Sequence, residues 1–282
     1  MAPGNFSPPG NGPLDEAAER AQRAYNAAAD TYDAPANGFW EATGRETIAR
    51  LGLAVGARVI DLPCGSGASA LAAAKAVGAG GSVLGVDLAR GLLARARSKA
   101  TAARLGNIRF MEADMRATGC PSGAFDAVVC VFGVFFVPDR EALVRELWRL
   151  VAPGGVLAIT TWGPDPLEPG ASAFWAAVAA ERPRLVHGFN PWDELVRPEQ
   201  LLTLFERSGS TDASASLVEA SQSLRSGTDW WDIALGSGFR GTIEELDDTT
   251  RKRVRRANLA AMAGVTSVRT SAVYGTAAKA AD

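Results

Sequence analysis

The stretch Val59-Ile60-Asp61-Leu62-Pro63-Cys64-Gly65-Ser66-Gly67-Ala68-Ser69-Ala70 decides the fold. A β-branched run ends on an acid, a glycine turn follows, and an Ala-rich run begins at once. This is the pattern of a strand, a tight turn and a helix. Gly65 and Gly67 remove the Cβ atoms that would hold a ligand away from the main chain. The helix behind them offers unpaired N–H groups and the positive end of its dipole.

Working outward, Leu14 to Ala29 reads as a helix, broken by Asp30, Asp33, Pro35 and Gly38, and Phe39 to Leu51 as a second one. After the first strand, Arg58 to Leu62, the chain alternates. A helix over Ala68 to Val77 is closed by Gly78, Gly80 and Gly81, and strand Ser82 to Val86 leads to a helix over Ala89 to Leu105. Strands Ile108 to Met111 and Ala127 to Phe132 follow. A helix over Arg140 to Val151 stops at Pro153-Gly154-Gly155, before strand Val156 to Thr161. Alternation through five strands predicts a parallel, doubly wound α/β sheet. The fourth strand is apolar throughout, as a central strand covered on both faces would be.

Beyond Trp162 the rhythm changes. Helices are predicted over Ala171 to Ala180, Pro198 to Arg207, Trp230 to Leu235 and Glu244 to Ala263, with strands over Ala213 to Val218 and Ser267 to Gly275. Trp175, Trp192, Trp230 and Trp231 fall here. The segment reads as a cap over the C-terminal edge of the sheet, where open α/β proteins bind ligands.

Composition narrows the classes. With 47% hydrophobic residues in 282, the chain has material for a proper core, and 29 Lys+Arg against 31 Asp+Glu leave a net charge of −2. No cationic field exists to draw it onto nucleic acid or an anionic membrane. The longest near-apolar run, Ala127 to Val137, is too short to span a bilayer and is interrupted by Gly133. Residues 1–13 read as a loose lead-in without a signal-peptide pattern. Cys64, Cys120 and Cys130 form no CxxC pair, which points to a reducing, cytoplasmic setting. One histidine and three scattered cysteines give no zinc spacing, so no metal is expected.

Two more acids complete the motif. Asp87 closes the second strand and Asp114 follows the third. With Asp61 they converge on one crevice, where a carboxylate after strand two suits a ribose diol and one after strand three reaches an exocyclic adenine amine. Taken alone, Gly65-x-Gly67-x-x-Ala70 with Asp87 about twenty residues on also satisfies the dinucleotide fingerprint, so a nicotinamide oxidoreductase stays open on the loop.

The whole set, with the Pro153-Gly154-Gly155 turn, resembles the class I S-adenosylmethionine-dependent methyltransferases, of the small-molecule type that includes the ubiquinone and menaquinone C-methyltransferases. The resemblance covers roughly Tyr25 to Trp162. It implies a Rossmann-like, mostly parallel seven-stranded sheet with N-terminal helices and a helical cap inserted near the C-terminus. It implies S-adenosyl-L-methionine as cofactor, with Asp61, Gly65 and Gly67 in the glycine motif, although Pro63 stands where the family has its first glycine. Asp87 falls on the ribose-binding acid, Leu88 on the adenine face, and Asp114 with Met115 on the adenine edge. Val131 and Phe132 fall on the strand-four exit, whose carbonyl receives the methionyl ammonium. Tyr32 resembles a residue that closes over the cofactor. The expected organisation is a tail over 1–13 and one domain over 14–282, divided into helices 14–52, core 53–162 and cap with last strands 163–282.

Methyl transfer is an in-line displacement that depends on aiming the acceptor and excluding water. A base is needed only where the acceptor holds a proton of unsuitable pKa. Relatives often carry a His pair after strand four; this chain has Gly133-Val134-Phe135-Phe136, whose aromatic pair is either a substrate wall or core. His187, in the cap, is either the general base or a surface residue. Trp40 and Trp162 adjoin the predicted sheet edge and are the substrate-contact candidates. The tryptophans suggest an aromatic or largely apolar small acceptor, or simply hold the cap down. Arg251, Lys252, Arg253, Arg255 and Arg256 form either an anion site or a solvated face balanced by Glu244, Glu245, Asp247 and Asp248. The expected partner is a small molecule, without nucleic acid or membrane; the oligomeric state is open, a homodimer included. The alternatives are a non-methylating enzyme that binds the same cofactor, or the NAD-dependent oxidoreductase.

Overall fold

The computed structural model describes residues 14–186 and 192–281. Helix α1 (Glu16–Ala28) starts at Asp15, whose carboxylate caps it by accepting from Ala18 N at 2.9 Å. After α2 (Gly38–Leu51), the chain alternates through β1 (Arg58–Asp61), α3 (Ala68–Val77), β2 (Ser82–Asp87), α4 (Arg90–Ala102), β3 (Ile108–Glu112), β4 (Phe125–Val131), α5 (Arg140–Leu150) and β5 (Val151–Trp162). The remainder forms α6 (Gly170–Glu181), α7 (Pro198–Arg207), β6 (Ala213–Val218), β7 (Ser221–Ser223), α8 (Gly227–Leu235), α9 (Phe239–Glu244), α10 (Asp248–Ala261), β8 (Ser267–Arg269) and β9 (Ala272–Ala278).

Seven strands form one sheet in the order β3-β2-β1-β4-β5-β9-β6. The first five run parallel, and β9 lies antiparallel between β5 and β6. This is the Rossmann-like arrangement expected from the sequence. From β1 the chain winds outward to β3, then returns to lay β4 on the other side of β1. The strand order reverses there, and a crevice opens at the carboxyl ends of β1 and β4.

Helices cover both faces, so β4 is buried almost throughout and Val128, Val129 and Cys130 are fully enclosed. α2 lies tightly on α3: a Cβ on Gly44 would sit 2.8 Å from Ser69 N. That contact fixes the start of α3, and with it the glycine turn.

Three elements differ from the sequence reading. The helix expected over Glu244 to Ala263 is α10, which starts only at Asp248 because Asp247 caps it by accepting from Thr250 N at 2.9 Å; Glu244 ends a separate helix, α9, that sequence reading missed. The single strand expected over Ser267 to Gly275 is two. β8 pairs with β7, which sequence reading missed, and β9 joins the main sheet. Between them Thr270 N donates to Ala220 O and Gly163 N donates to Ser271 O, so the chain steps from one sheet to the other. Third, β5 begins at Val151 rather than Val156, with an irregular register around Pro153-Gly154-Gly155. Among the described residues no helix is long and apolar enough to cross a membrane.

Candidate active site

The crevice at the switch point is a cleft of about 110 Å³. Its floor is the β1–α3 turn. Gly65 (φ 52°) and Gly67 (φ 89°) both adopt the left-handed backbone that favours glycine, and Gly67 is the N-cap of α3. Gly65 lines the cleft; Gly67 lies behind it, close to Leu71 and Ala96.

The acids lie at different depths. Asp87 lines the cleft and braces the turn, with Oδ2 accepting from Gly65 N at 2.8 Å and Oδ1 from Ala89 N at 2.7 Å. Burial pushes its pKa up, and three backbone N–H groups pull part of that back. Asp61 sits beneath the turn, fully buried and outside the cleft lining. Ser69 Oγ donates to its Oδ2 at 2.6 Å, while Oδ1 has no hydrogen-bond partner. Burial pushes this carboxyl up to about 7. An enclosed carboxylate oxygen without a donor, at the foot of the glycine turn that floors the cleft, suits a ligand carrying a positive charge. Asp114 and Met115 line the far end with Leu88, and Arg116 grips Asp114 with Nη2–Oδ2 at 2.6 Å.

At the exit of β4 Val131 and Phe132 line the opposite wall. Phe132 is buried at φ 52°, an unusual conformation for a bulky residue and one that clusters at functional sites. Its ring stacks on Trp162, with centroids 4.2 Å apart, and meets Trp40 edge-on at 5.4 Å. Trp40 lines the cleft; Trp162 does not, because Phe132 stands in front of it. Tyr32 closes over the turn, with its hydroxyl beside Gly65 and its ring parallel to Trp40 at 5.2 Å. The next residue holds it there: Asp33 accepts from Ser66 Oγ at 2.6 Å and from Lys99 Nζ at 3.1 Å. Phe136 lines the cleft and Phe135 does not, so the aromatic pair divides between wall and core.

Sequence reading missed the roof. Ala18, Ala21, Gln22 and Tyr25 of α1 face the cleft, at the i, i+3, i+4, i+7 spacing of one helical face. That spacing was the available signal, hidden because two of the four residues are alanine. Gln22 Nε2 donates to Leu88 O at 3.1 Å, and Gly91 N donates to Asn26 Oδ1 at 2.9 Å. Burial raises the pKa of both Tyr25 and Tyr32, and nearby Asp87 adds to it. Their phenols are therefore neutral donors rather than bases. His187 lies outside the described residues. In the basic cluster of α10, Arg253 is taken up by Glu181 of α6 at 2.8 Å and Arg251 by Asp248 at 3.5 Å.

Comparison with known proteins fits this geometry. Residues 59–155 match the family model described as a methyltransferase domain. Aklanonic acid methyltransferase DauC of Streptomyces sp. (strain C5) is 31% identical over 203 residues, covering 68% of this chain and 91% of the relative. Demethylmenaquinone methyltransferase of Thermus thermophilus is 44% identical over 109 residues, 39% of this chain; the chain spans 49% of that relative's length. Among solved structures, phosphoethanolamine N-methyltransferase 2 of Haemonchus contortus, in complex with S-adenosyl-L-methionine, shares the fold. Its TM-score is 0.58 at 16% identity, over 95% of this chain and 60% of that one. The chain belongs to the class I S-adenosylmethionine-dependent methyltransferases, of the type that acts on small molecules.

Proposed function

We infer that the enzyme methylates a small, aromatic or largely apolar acceptor held under α1 against Tyr25, Trp40, Phe132 and Phe136. The observation that carries this reading is the aromatic wall facing the glycine turn, built around the left-handed Phe132. Asp87, Leu88, Asp114 and Met115 would hold the adenosyl part of the cofactor. Gly65 and the main chain at Val131 and Phe132 would hold its methionyl part, with Tyr32 closing over it. Asp61, one layer down, and Gly67, at the head of α3, shape and polarise the turn. The bound cofactor supplies an electrophilic methyl on a positively charged sulfur.

The chain's own contribution is alignment and dryness. Apolar rings around the reacting centre exclude water, and proximity supplies much of the acceleration. The neutral phenols of Tyr25 and Tyr32 orient an acceptor oxygen by donating to it. His187 is the imidazole available as a base for an acceptor that arrives protonated.

Two measurements test the reading. Titration calorimetry with S-adenosylhomocysteine gives saturable heat; its absence ends the proposal. A labelled-methyl assay across planar aromatic and polar aliphatic acceptors favours the aromatic set, and Trp40→Ala lowers kcat/KM for that set by about tenfold or more. Preference for polar aliphatic acceptors overturns the acceptor class. In the same assay His187→Ala cuts kcat by about a hundredfold with unchanged cofactor affinity where the imidazole takes the proton; full turnover removes that role.

A further inference from the structure

We propose that Arg116 is a positioning residue that ties the adenine-edge carboxylate of Asp114 to the roof helix α1, so that cofactor residence is set by the latch between Arg116 and Asp15. The proposal rests on the reading that Asp114 faces the adenine.

Arg116 directs nearly all its donors at two carboxylates. Its backbone N donates to Asp114 Oδ1 at 2.8 Å, its Nε reaches Oδ1 and Oδ2 at 3.0 Å each, and its Nη2 reaches Oδ2 at 2.6 Å. A carboxylate gripped this way has a fixed orientation. The remaining arm, Nη1, bonds Asp15 Oδ2 across 101 residues of sequence. Asp15 is the N-cap of α1, and its other oxygen accepts from Ala18 N at 2.9 Å. One guanidinium thus joins the far end of the cleft to the first turn of the helix that covers it. Arg116, Asp114 and Ala18 all line the same cleft.

The latch has the strength expected of a releasable contact. The side chains of Asp15 and Arg116 are 46% and 29% exposed, and an ion pair so placed holds weakly by itself. The neutral ties of α1 through Gln22 and Asn26 do not respond to salt, whereas this one does. A ligand that adds contacts to Ala18, Ala21, Gln22 and Tyr25 stabilises the latched helix. By linkage, the latched helix tightens the ligand's binding by the same factor, and where association is little changed that gain is read as slower release.

The test follows S-adenosylhomocysteine release by tryptophan fluorescence after dilution, in wild type, Asp15→Ser, Arg116→Ala, Arg116→Lys and the double variant Asp15→Ser/Arg116→Ala. Serine keeps the helix cap and removes the charge, so a purely structural role for Asp15 leaves release unchanged. The expected result for Asp15→Ser is release about three- to fivefold faster, with association unchanged and a smaller dependence of release on salt. Arg116→Ala raises Kd by at least that factor, Arg116→Lys restores part of it, and the double variant releases no faster than Arg116→Ala. Release from Asp15→Ser at the wild-type rate, or effects that multiply in the double variant, overturns the latch. Wild type that fails to bind S-adenosylhomocysteine overturns the underlying cofactor reading instead.

Discussion

The carboxyl of Asp61 has no solvent around it and one hydroxyl partner, yet it stands at the foot of the glycine turn. Its ordinary value of 3.8 rises to about 7 because burial penalises the charged form, with the neighbouring Asp87 adding to the effect. The sign follows from proton linkage. Between 3.8 and about 7 the folded protein holds a proton there that the unfolded chain has lost. The cofactor-free protein therefore loses stability as pH rises through that window, and above it the penalty is constant, of the order of a few kcal/mol. Asp61→Asn keeps a partner for Ser69 and removes the charge. Its Tm relative to wild type should climb from pH 4 to pH 8, while its affinity for S-adenosylhomocysteine falls at pH 8. A Tm difference that does not vary with pH shows instead that the folded protein ionises Asp61 as readily as the unfolded chain does, so that its burial carries no charge penalty.

At the scale of elements, two departures from the family pattern turn out to be one feature. Pro63 stands in the turn where the family resemblance leads one to expect a glycine, and Gly133 opens the Gly133-Val134-Phe135-Phe136 segment after β4 that carries no histidine pair. The two meet: a Cβ on Gly133 would lie 2.1 Å from Pro63 Cδ. The Pro63 ring occupies the space that any side chain at position 133 would need. Gly133→Ala should cost roughly 1–3 kcal/mol in urea unfolding, and most of that cost should vanish in a Pro63→Gly background; additive penalties dismiss the pairing. This contact also marks the limit of what sequence could convey. The five parallel strands and their helices were legible because each carries its own periodicity and its own turn residues. The three acids Asp61, Asp87 and Asp114 were legible because each ends a strand or closely follows one, although the structure puts Asp61 beneath the cleft rather than in it. Contacts between turns distant in sequence leave no periodic trace, and neither does the division of Ser267 to Gly275 between two sheets, which depends on partners at Ala220 and Gly163. Trp162 was expected to meet the substrate; the left-handed turn at Phe132, which no residue type announces, puts a ring in front of it. The roof face of α1 stayed hidden because alanines there read as helix formers rather than as room left for a ligand.

For the whole molecule, the sheet has two unlike halves. The parallel half, β3-β2-β1-β4, carries the turn, the acids and the strand-four exit. The antiparallel half, β5-β9-β6, joins it through a long β4–β5 ladder and meets the cleft only through the rings behind Phe132. The roof helix α1 belongs to neither half; it packs on α9, where Ala24 lies close to Gly241, and on α4, and side-chain bonds from Gln22, Asn26 and Asp15 join it to Leu88, Gly91 and Arg116. A half-exposed surface helix opens at lower free energy than a central strand buried on both faces. Ligand binding should therefore redistribute protection unevenly. In native-state hydrogen exchange, saturating S-adenosylhomocysteine should slow amides of α1 and of residues 64–70 by the full factor that mass action allows, because their local opening releases the ligand. Amides of β9 and β6 should gain that factor only where they exchange by global unfolding, and under conditions where they exchange by local fraying they should gain nothing. Uniform gains across the sheet mean instead that α1 and the core open together as one cooperative unit, and that the roof is as firmly built as the strands beneath it.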